Sequence, residues 1–519
     1  MTGADTRLAE LLGALSLACD VAFGFPPEKV MRSCILSVEL GRRHGLAHQE
    51  LRDVFYVSLL QYAGCTAFAH EEAFYSAGDD IGMRNSLAHA ISDPSPAAMS
   101  RFVRGVGRGA GVFARTRAVA RLLLDASQTA YRHGHAMCEA SVHLAGIVGM
   151  SGPVRTALAQ ICERWDGKGH PRRVEGEALA LAMRVSHIGD YAEIAHHRDG
   201  RAAACALVKK QTGGQFDPAL ARTFLREADA LLAAIEDGSV WDRFLAAEPV
   251  PHGRADADRI DDVARAFAEM ADLKSVWTLG HSTGVAALAD RAAVALSMDA
   301  EERRLLRCAA HLHDLGRLSA PNRIWDKPGP LSPSEWELVR LHTYWTERVL
   351  SRSPVLGDAR HIACSAHERL DGAGYHRSAA SAMLGGPARL LAAADMYHAL
   401  CEPRPHRPAH APAGAGELLL ADVAAGRLDR DAAHAVLDAA GLARRRTRSA
   451  WPCGLTDREV EVLRLLSRGG TNKEIAASLG ISPRTAQHHV IHIYQKIEVS
   501  SRAAAALFAT ENGLLDAIR

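Results

Sequence analysis

The sequence predicts an all-α protein. Alanine-rich runs whose apolar residues recur at helical spacing fill the chain, and aromatic residues make up only 5% of it. At 519 residues and 48% hydrophobic, the chain is globular and too long for one core, so two to four domains are expected. The 61 basic and 60 acidic residues nearly cancel, so any nucleic-acid surface must come from local clustering. No apolar run is long enough to span a bilayer, and MTGADTRLAELLG lacks a charged-then-apolar signal pattern. Ten scattered cysteines without a CxxC pair read as reduced and mostly buried, and a cytoplasmic location with no membrane partner is expected.

Taken in order, the first half is a worn copy of the second. Residues 28–65 lie on 280–317 at a constant offset of 252, with GLAHQELRDVFYVSLLQYAG under SMDAEERRLLRCAAHLHDLG. CERWDGKGHP at 162–171 parallels HERLDGAGYH at 367–376, and Glu163 to Asp190 spans 27 residues, as does Glu368 to Asp395. Two blocks with matched internal spacing mark an internal repeat. Residues 92 to about 125, rich in Gly, Pro and Arg, predict a loop and a helix peculiar to this chain. The segment 246–259, with two Pro, a Gly and no apolar periodicity, places the first domain boundary.

The second half centres on HLHDLGR, 311–317, and on the adjacent pair His313 and Asp314. A buried carboxylate beside an imidazole needs a partner, because an unpaired buried charge is costly. A divalent metal would serve both, and the alternative is a hydrogen-bonded core pair. His281 opens the helical pattern GHSTGVAALADRAAVAL upstream; His342, His367 and Asp395 follow downstream on helical segments. The order His, His-Asp, His, His-Glu, Asp resembles the HD superfamily of metal-dependent phosphohydrolases, and HERLDGAGY narrows this to its HD-GYP branch.

That resemblance implies an all-helical domain over 260–442 that acts on cyclic di-GMP. It implies a metal core of His281, His313, Asp314 and Asp395, with His342 and His367 matching ligands of a second ion. Asp314 and Arg317 would act in catalysis, and Arg369, Asp371, Gly372, Gly374 and Tyr375 would face substrate. Several positions depart from the branch pattern: Ala366 replaces a ligand His, Trp277 falls where an acidic ligand is usual, and Arg317 replaces Lys. His376 replaces the Pro of GYP, and His398 replaces the Asp of DxYDAL. One Fe, Mn or Zn ion is therefore expected in place of two. By the same resemblance 1–245 is a degenerate copy without ligands: Lys29, Gln61, Tyr62 and Cys162 stand at the positions of His281, His313, Asp314 and His367, and only Asp190 survives. Its loop RWDGKGHPRR, with Arg164, Lys168, Arg172 and Arg173, is either an anion site or a solvated basic turn.

After a Pro-rich stretch at 401–416 and a basic run containing Arg444, Arg445, Arg446 and Arg448, the last module begins near residue 451. Thr456 with Glu459 reads as a capping box, and Ser482 with Pro483 as the start of a helix to about Ile497. Ala486, Val490, Ile493 and Ile497 recur at core spacing, leaving Arg484, Thr485, Gln487, His488, His492 and Lys496 outside. Residues 451–519 resemble the four-helix LuxR-type helix-turn-helix. The resemblance implies major-groove reading of double-stranded DNA by that outer face, with Asn472 and Lys473 on the preceding helix. The parts compose a transcription regulator, expected as a homodimer, whose HD-type half hydrolyses or senses a phosphate ester such as cyclic di-GMP. The alternative is an inactive sensing or dimerisation scaffold.

Overall fold

The computed structural model describes residues 6–92, 95–107, 111–236, 238–442, 451–512 and 514. These are helices and turns, apart from one antiparallel ribbon of Thr6–Arg7 with Arg254–Ala255 and two isolated bridges. None of the described helices is long and apolar enough to cross a membrane. All ten cysteines are free thiols, and only Cys453 is exposed. The chain forms two compact units, residues 1–442 and 443–519.

Within the first unit the main hydrophobic core runs from Leu8 to Leu437, with two small satellite clusters beside it. The expected boundary at 246–259 is therefore not a break between cores. Helix Leu8–Phe23 is apolar almost all round, so it must be covered on every side, and helix Ala257–Asp272 covers part of it. The segment between the halves is stitched down: Leu8 N donates to Gly253 O at 2.9 Å, and buried Glu248 accepts from Arg7 Nη2 at 2.7 Å and Gly253 N at 3.0 Å. Residues 95–147 also differ from expectation. Ser95 caps helix Pro96–Gly105, and a 36-residue helix follows at Val112–Ile147, so the Gly and Pro residues punctuate only its approach.

The repeat holds atom by atom. Asp20 accepts from Val30 N at 3.0 Å, and Asp272 from Ser282 N at 2.8 Å, so each carboxylate seats the start of the equivalent helix. Glu163 accepts from Arg172 N (2.6 Å) and Val174 N (3.1 Å); Glu368 accepts from Arg377 N (3.1 Å) and Ala379 N (3.0 Å), nine and eleven residues on in both copies. A Cβ on Gly169 or Gly374 would sit 2.4 Å from the Cα of that Glu, which requires glycine at both. Arg164 of the first loop is spent on Asp166 and Gln215, at 2.9 Å each, which favours the structural reading of that turn.

The first copy's vestigial site is plugged from within. The Lys29 ammonium ion-pairs with Asp190 and donates to Tyr62 Oη at 2.9 Å. Tyr62 Oη donates to Asp190 Oδ2 at 2.6 Å, and Gln61 Nε2 to its Oδ1 at 3.1 Å. Lys29 thus supplies, within the chain, the positive charge that the surviving carboxylate needs. Because side-chain exposure is 1% for Lys29 and 7% for Asp190, Lys29→Met strands a buried anion. The expected cost is about 3–5 kcal/mol, read as a lower urea midpoint, with Lys29→Met/Asp190→Leu recovering much of it.

Candidate metal centre and DNA-reading surface

Local sequence places each ligand. Asp299 and Glu302 form a capping box that starts helix Ala300–Leu312, whose buried Leu306, Ala309 and Ala310 carry His313 and Asp314 into the core at its C-terminal end. Gly316 then lets the next helix approach: a Cβ there would lie 1.8 Å from His342 O. Its N–H donates to Thr346 Oγ1 at 2.9 Å, and Thr346 Oγ1 donates to His313 O at 3.1 Å, which locks helix His342–Leu350 against the His-Asp turn. His281 is the first residue of helix His281–Ala295, and Asp395 sits inside Gly386–Cys401.

Six side chains converge. His281 Nε2 lies 3.1 Å from Asp395 Oδ1 and 3.6 Å from Asp314 Oδ2. His313 Nε2 lies 3.2 Å from Asp314 Oδ2 and 3.6 Å from Asp395 Oδ1. On the other side of the same carboxylate, His342 Nε2 and His367 Nε2 stand 3.4 and 3.3 Å from Asp314 Oδ1, and His367 Nδ1 is 3.3 Å from Asp395 Oδ2. Asp314 therefore faces two groups of imidazoles, one with each oxygen. Backbone carbonyls fix the rings: Ala310 O takes His313 Nδ1 at 2.7 Å and Val339 O takes His342 Nδ1, so both present Nε2 inward.

The donor set fits a divalent cation. His313 Nε2, Asp314 Oδ2 and His342 Nε2 are buried without a hydrogen-bond partner. Ligands about 2.1 Å from a tetrahedral ion lie roughly 3.3 Å apart, the spacing found here. Donor atoms of His281, His313 and Asp395, and of His313, Asp314 and His367, lie within 4.8 Å of one another in each set. Charge points the same way. Against the desolvation of full burial, Arg317 and His313 hold Asp314 well below the usual carboxylate range, and His367 and His281 do so for Asp395. Desolvation likewise opposes it, yet Asp314 and Asp395 push the imidazolium of His313 up to about 10, whereas burial takes His342 down to about 4.

The other expected site residues divide. Arg317 Nε is 2.9 Å from Asp314 Oδ2 without hydrogen-bond geometry, its guanidinium 5.3 Å from the Trp325 ring centroid. Tyr375 stacks on His367 with centroids 5.1 Å apart. Asp371 instead accepts from Ala373 N at 3.0 Å, Arg369 donates to Glu368 O at 2.8 Å, Gly372 has φ 77°, and Gly374 packs on Glu368, so these four shape the turn. Ala366 is fully buried, and Trp277 engages through its backbone, its carbonyl accepting from Arg404 and its N–H donating to Ser275 Oγ at 3.3 Å. Sequence reasoning missed Glu402, whose Oε2 lies 2.8 Å from His281 Nδ1 and turns Nε2 of that ring toward the carboxylates. Asp395, His398 and Glu402 follow i, i+3, i+7 spacing along one helical face, a signal present in the sequence.

The C-terminal unit has helices Asp457–Ser467, Asn472–Leu479, Pro483–Lys496 and Arg502–Glu511. Thr456 and Glu459 form the expected capping box, Thr471 and Glu474 form another, and Ser482 caps the third helix. Ala486, Val490, Ile493 and Ile497 are buried as expected. Arg484, Thr485, Gln487, His488, His492 and Lys473 are exposed, and Asn472 is half-buried. Lys496 departs from its expected outward role: its ammonium bonds Glu459 Oε2 at 2.6 Å and Gly454 O at 3.0 Å, tying the third helix to the first. Arg444, Arg445, Arg446 and Arg448 lie outside the described residues.

Comparison with known proteins matches residues 265–432 to the HD domain and 454–509 to the bacterial regulatory proteins of the luxR family. The chain is 28% identical to 3'3'-cGAMP-specific phosphodiesterase 3 of Vibrio cholerae over 78% of this chain and 88% of that protein. It is 29% identical to 3'3'-cGAMP-specific phosphodiesterase 1 of the same organism, over 45% of this chain and 55% of that one. With a cyclic di-GMP phosphodiesterase of Thermotoga maritima it shares 33% over 29% of this chain and 41% of the other. Its match thus spans most of the first of these relatives, and about half or less of the other two. The crystal structure of a cyclic GMP-AMP-specific phosphodiesterase of V. cholerae superimposes with TM-score 0.57 and 25% identity, over 84% of this chain and 98% of that one. Coverage that wide takes in the degenerate half as well as the intact one. The chain thus carries an HD domain homologous to cyclic di-GMP and cGAMP phosphodiesterases, fused to a C-terminal LuxR-type DNA-binding domain.

Proposed function

We propose that residues 260–442 bind a divalent metal through His281, His313, Asp314 and Asp395 and hydrolyse a cyclic dinucleotide or related phosphodiester. On this reading the protein is a cytoplasmic transcription regulator that acts on double-stranded DNA. The observation that carries it is the convergence of four buried or nearly buried imidazoles on Asp314 and Asp395, three of the six groups' ligand atoms lacking a hydrogen-bond partner. Fe, Mn or Zn suits the mixed nitrogen and oxygen donors, and when bound such an ion supplies Lewis acidity and a more acidic water. The chain's own groups do the rest. Asp314 and Asp395 stay ionised, Glu402 fixes the ring of His281, and Arg317 stands beside Asp314 to steady phosphate charge. Tyr375, stacked on His367, offers an apolar face to a nucleobase. The buried methyl of Ala366, where the branch pattern has a ligand, favours one ion.

That same methyl favours a second reading, in which the pocket binds a cyclic dinucleotide without turnover and alters DNA binding by the tail. Incubating the Mn-loaded protein with 3'3'-cGAMP, cyclic di-GMP and an aryl phosphodiester separates the two. Hydrolysis should occur and fall at least about a hundredfold in His313→Ala/Asp314→Ala. Binding of a cyclic dinucleotide with no product above that control would establish sensing. Glu402→Gln should lower metal affinity by about 10–100-fold, measured by competition with a chelating dye, while leaving the urea midpoint nearly unchanged.

For the tail, Arg484→Ala or Gln487→Ala should each weaken binding to DNA from its own promoter region by about 1–3 kcal/mol in a gel shift. Lys496→Ala should instead act on the stability of the unit, because its ammonium is committed to Glu459. A large, sequence-selective loss of DNA binding in Lys496→Ala at unchanged stability would refute this orientation.

A further inference from the structure

Helix Val112–Ile147 belongs to the first half, and only its C-terminal end matches helix His342–Leu350 of the second: Gly64 N donates to Ser141 Oγ at 3.0 Å as Gly316 N does to Thr346 Oγ1 at 2.9 Å. The offset between copies falls from 252 at Gly64 to 205 at Ser141, so the half of the helix that begins at Val112 lies in a stretch peculiar to the first copy. One face of its first half packs on the rest of the unit: Ala118 and Leu122 join Met83, Phe102 and Val106 in a small separate core. The opposite face is bare. Phe113 is 93% exposed there and Leu124 84%, and on the adjoining flank Val112 is 80% and Leu123 64% exposed. Solvent-facing singles need no explanation, but this is a row.

The row has the geometry of a helix-pairing seam. Residues 113, 117, 120, 124, 127 and 131 are spaced 4, 3, 4, 3, 4, and all six are exposed. That spacing is the same in both directions about residue 122. Turned end for end on itself, the seam sets Phe113 against Tyr131, Arg117 against Ser127, and Ala120 against Leu124. Large side chains meet aromatic or small ones at every level, and no like charges oppose each other. A surface that complements its own reversed copy is what an isologous two-fold contact requires. Phe113, Ala120, Leu124 and Tyr131 together expose on the order of 500 Å² per copy, so a symmetric pair reaches the ~1,000 Å² that a specific interface should clear.

We propose that this face is a homodimer interface, formed by antiparallel pairing of the Val112–Ile147 helices of two copies about an axis near residue 122. The inference is independent of the phosphodiesterase reading.

Light scattering on the full chain at micromolar concentration tests it. The wild type is expected at twice the chain mass, and Leu124→Glu and Phe113→Glu are each expected to raise the dimer dissociation constant at least about a hundredfold. Both residues are exposed, so folding should be untouched, and Val294→Glu, at a 56% exposed position elsewhere, is the control that should stay dimeric. Antiparallel register is read by cross-linking. Two copies of residue 120 are offset by about 6 Å along the axis, two of residue 113 by about 27 Å. A short bismaleimide should therefore join Ala120→Cys and not Phe113→Cys, each in a Cys453→Ser background. A monomeric wild type, a dimer that survives Leu124→Glu and Phe113→Glu, or cross-linking at 113 in place of 120 would overturn the proposal.

Discussion

Two carboxylates buried side by side are the constraint on which the second half depends. Asp314 and Asp395 lie among imidazoles and beside Arg317, with little or no exposure to water. An unpaired ion in such a place costs several kcal/mol, so its compensation has to be built in or brought in. The two halves of the chain show both solutions on one scaffold. In the first, Tyr62 takes the place of one carboxylate and Lys29 brings an ammonium to the other. In the second, His281 and His367 hydrogen-bond to Asp395 and Asp314, while His313 Nε2, Asp314 Oδ2 and His342 Nε2 have no hydrogen-bond partner, a donor set that fits a cation. The first half thus balances its buried charge with its own side chains, and the second gathers a donor set that suits a divalent cation.

The finished half also holds the other in place. Asp80, from the first half, accepts from Lys274 Nζ at 2.7 Å and Asn322 N at 2.7 Å, while the guanidinium of Arg84 reaches Asp80, Glu72 Oε2 at 2.5 Å and Ala22 O. Lys274 lies seven residues before His281 and Asn322 five after Arg317, so this buried network grips the metal-centre segments from both sides. Around Asp80 the charges are matched: Arg84 and Lys274 hold its carboxyl below the ordinary value despite the desolvation of burial. Removing the degenerate half would leave Lys274 and the faces of helices Ala257–Asp272 and His342–Leu350 uncovered. That explains why a copy stripped of every ligand but one is still needed.

Much of this was legible in the sequence because the informative signals are local. HLHDLGR, the Glu-to-Asp spacing of 27, the capping box at Thr456 and the core spacing of the third helix of the tail each fit within a few helical turns. The misses are long-range. Lys29 and Asp190 are 161 residues apart, and nothing local shows that an ammonium fills the pit left by lost ligands. The proline-rich crossover at 246–259 looks like a linker, yet its surroundings are set by helices from both sides that share one core. Lys496 shows the same limit at short range. Helical spacing put it on the outer face correctly, but its long stem reaches back to Glu459.

The comparison of halves also explains Glu402. At the position of Gly284 the first half has Arg32, whose guanidinium pairs with Glu193 at 2.7 Å across the start of the helix. The second half has no side chain there. A Cβ on Gly284 would lie 2.1 Å from His398 Nε2, and His398 stands where the first half has Glu193. Emptying position 284 lets the His398 ring lean over the helix start, its centroid 5.4 Å from that of His281, with Nδ1 3.3 Å from Glu402 Oε1. The other oxygen of Glu402 is then free for His281 Nδ1. The departure from the branch pattern at His398 is therefore coupled to a glycine one turn into the first helix and to a carboxylate at the end of the last. Together they orient His281 from behind, on a chain where Trp277 offers no acidic group in front of it.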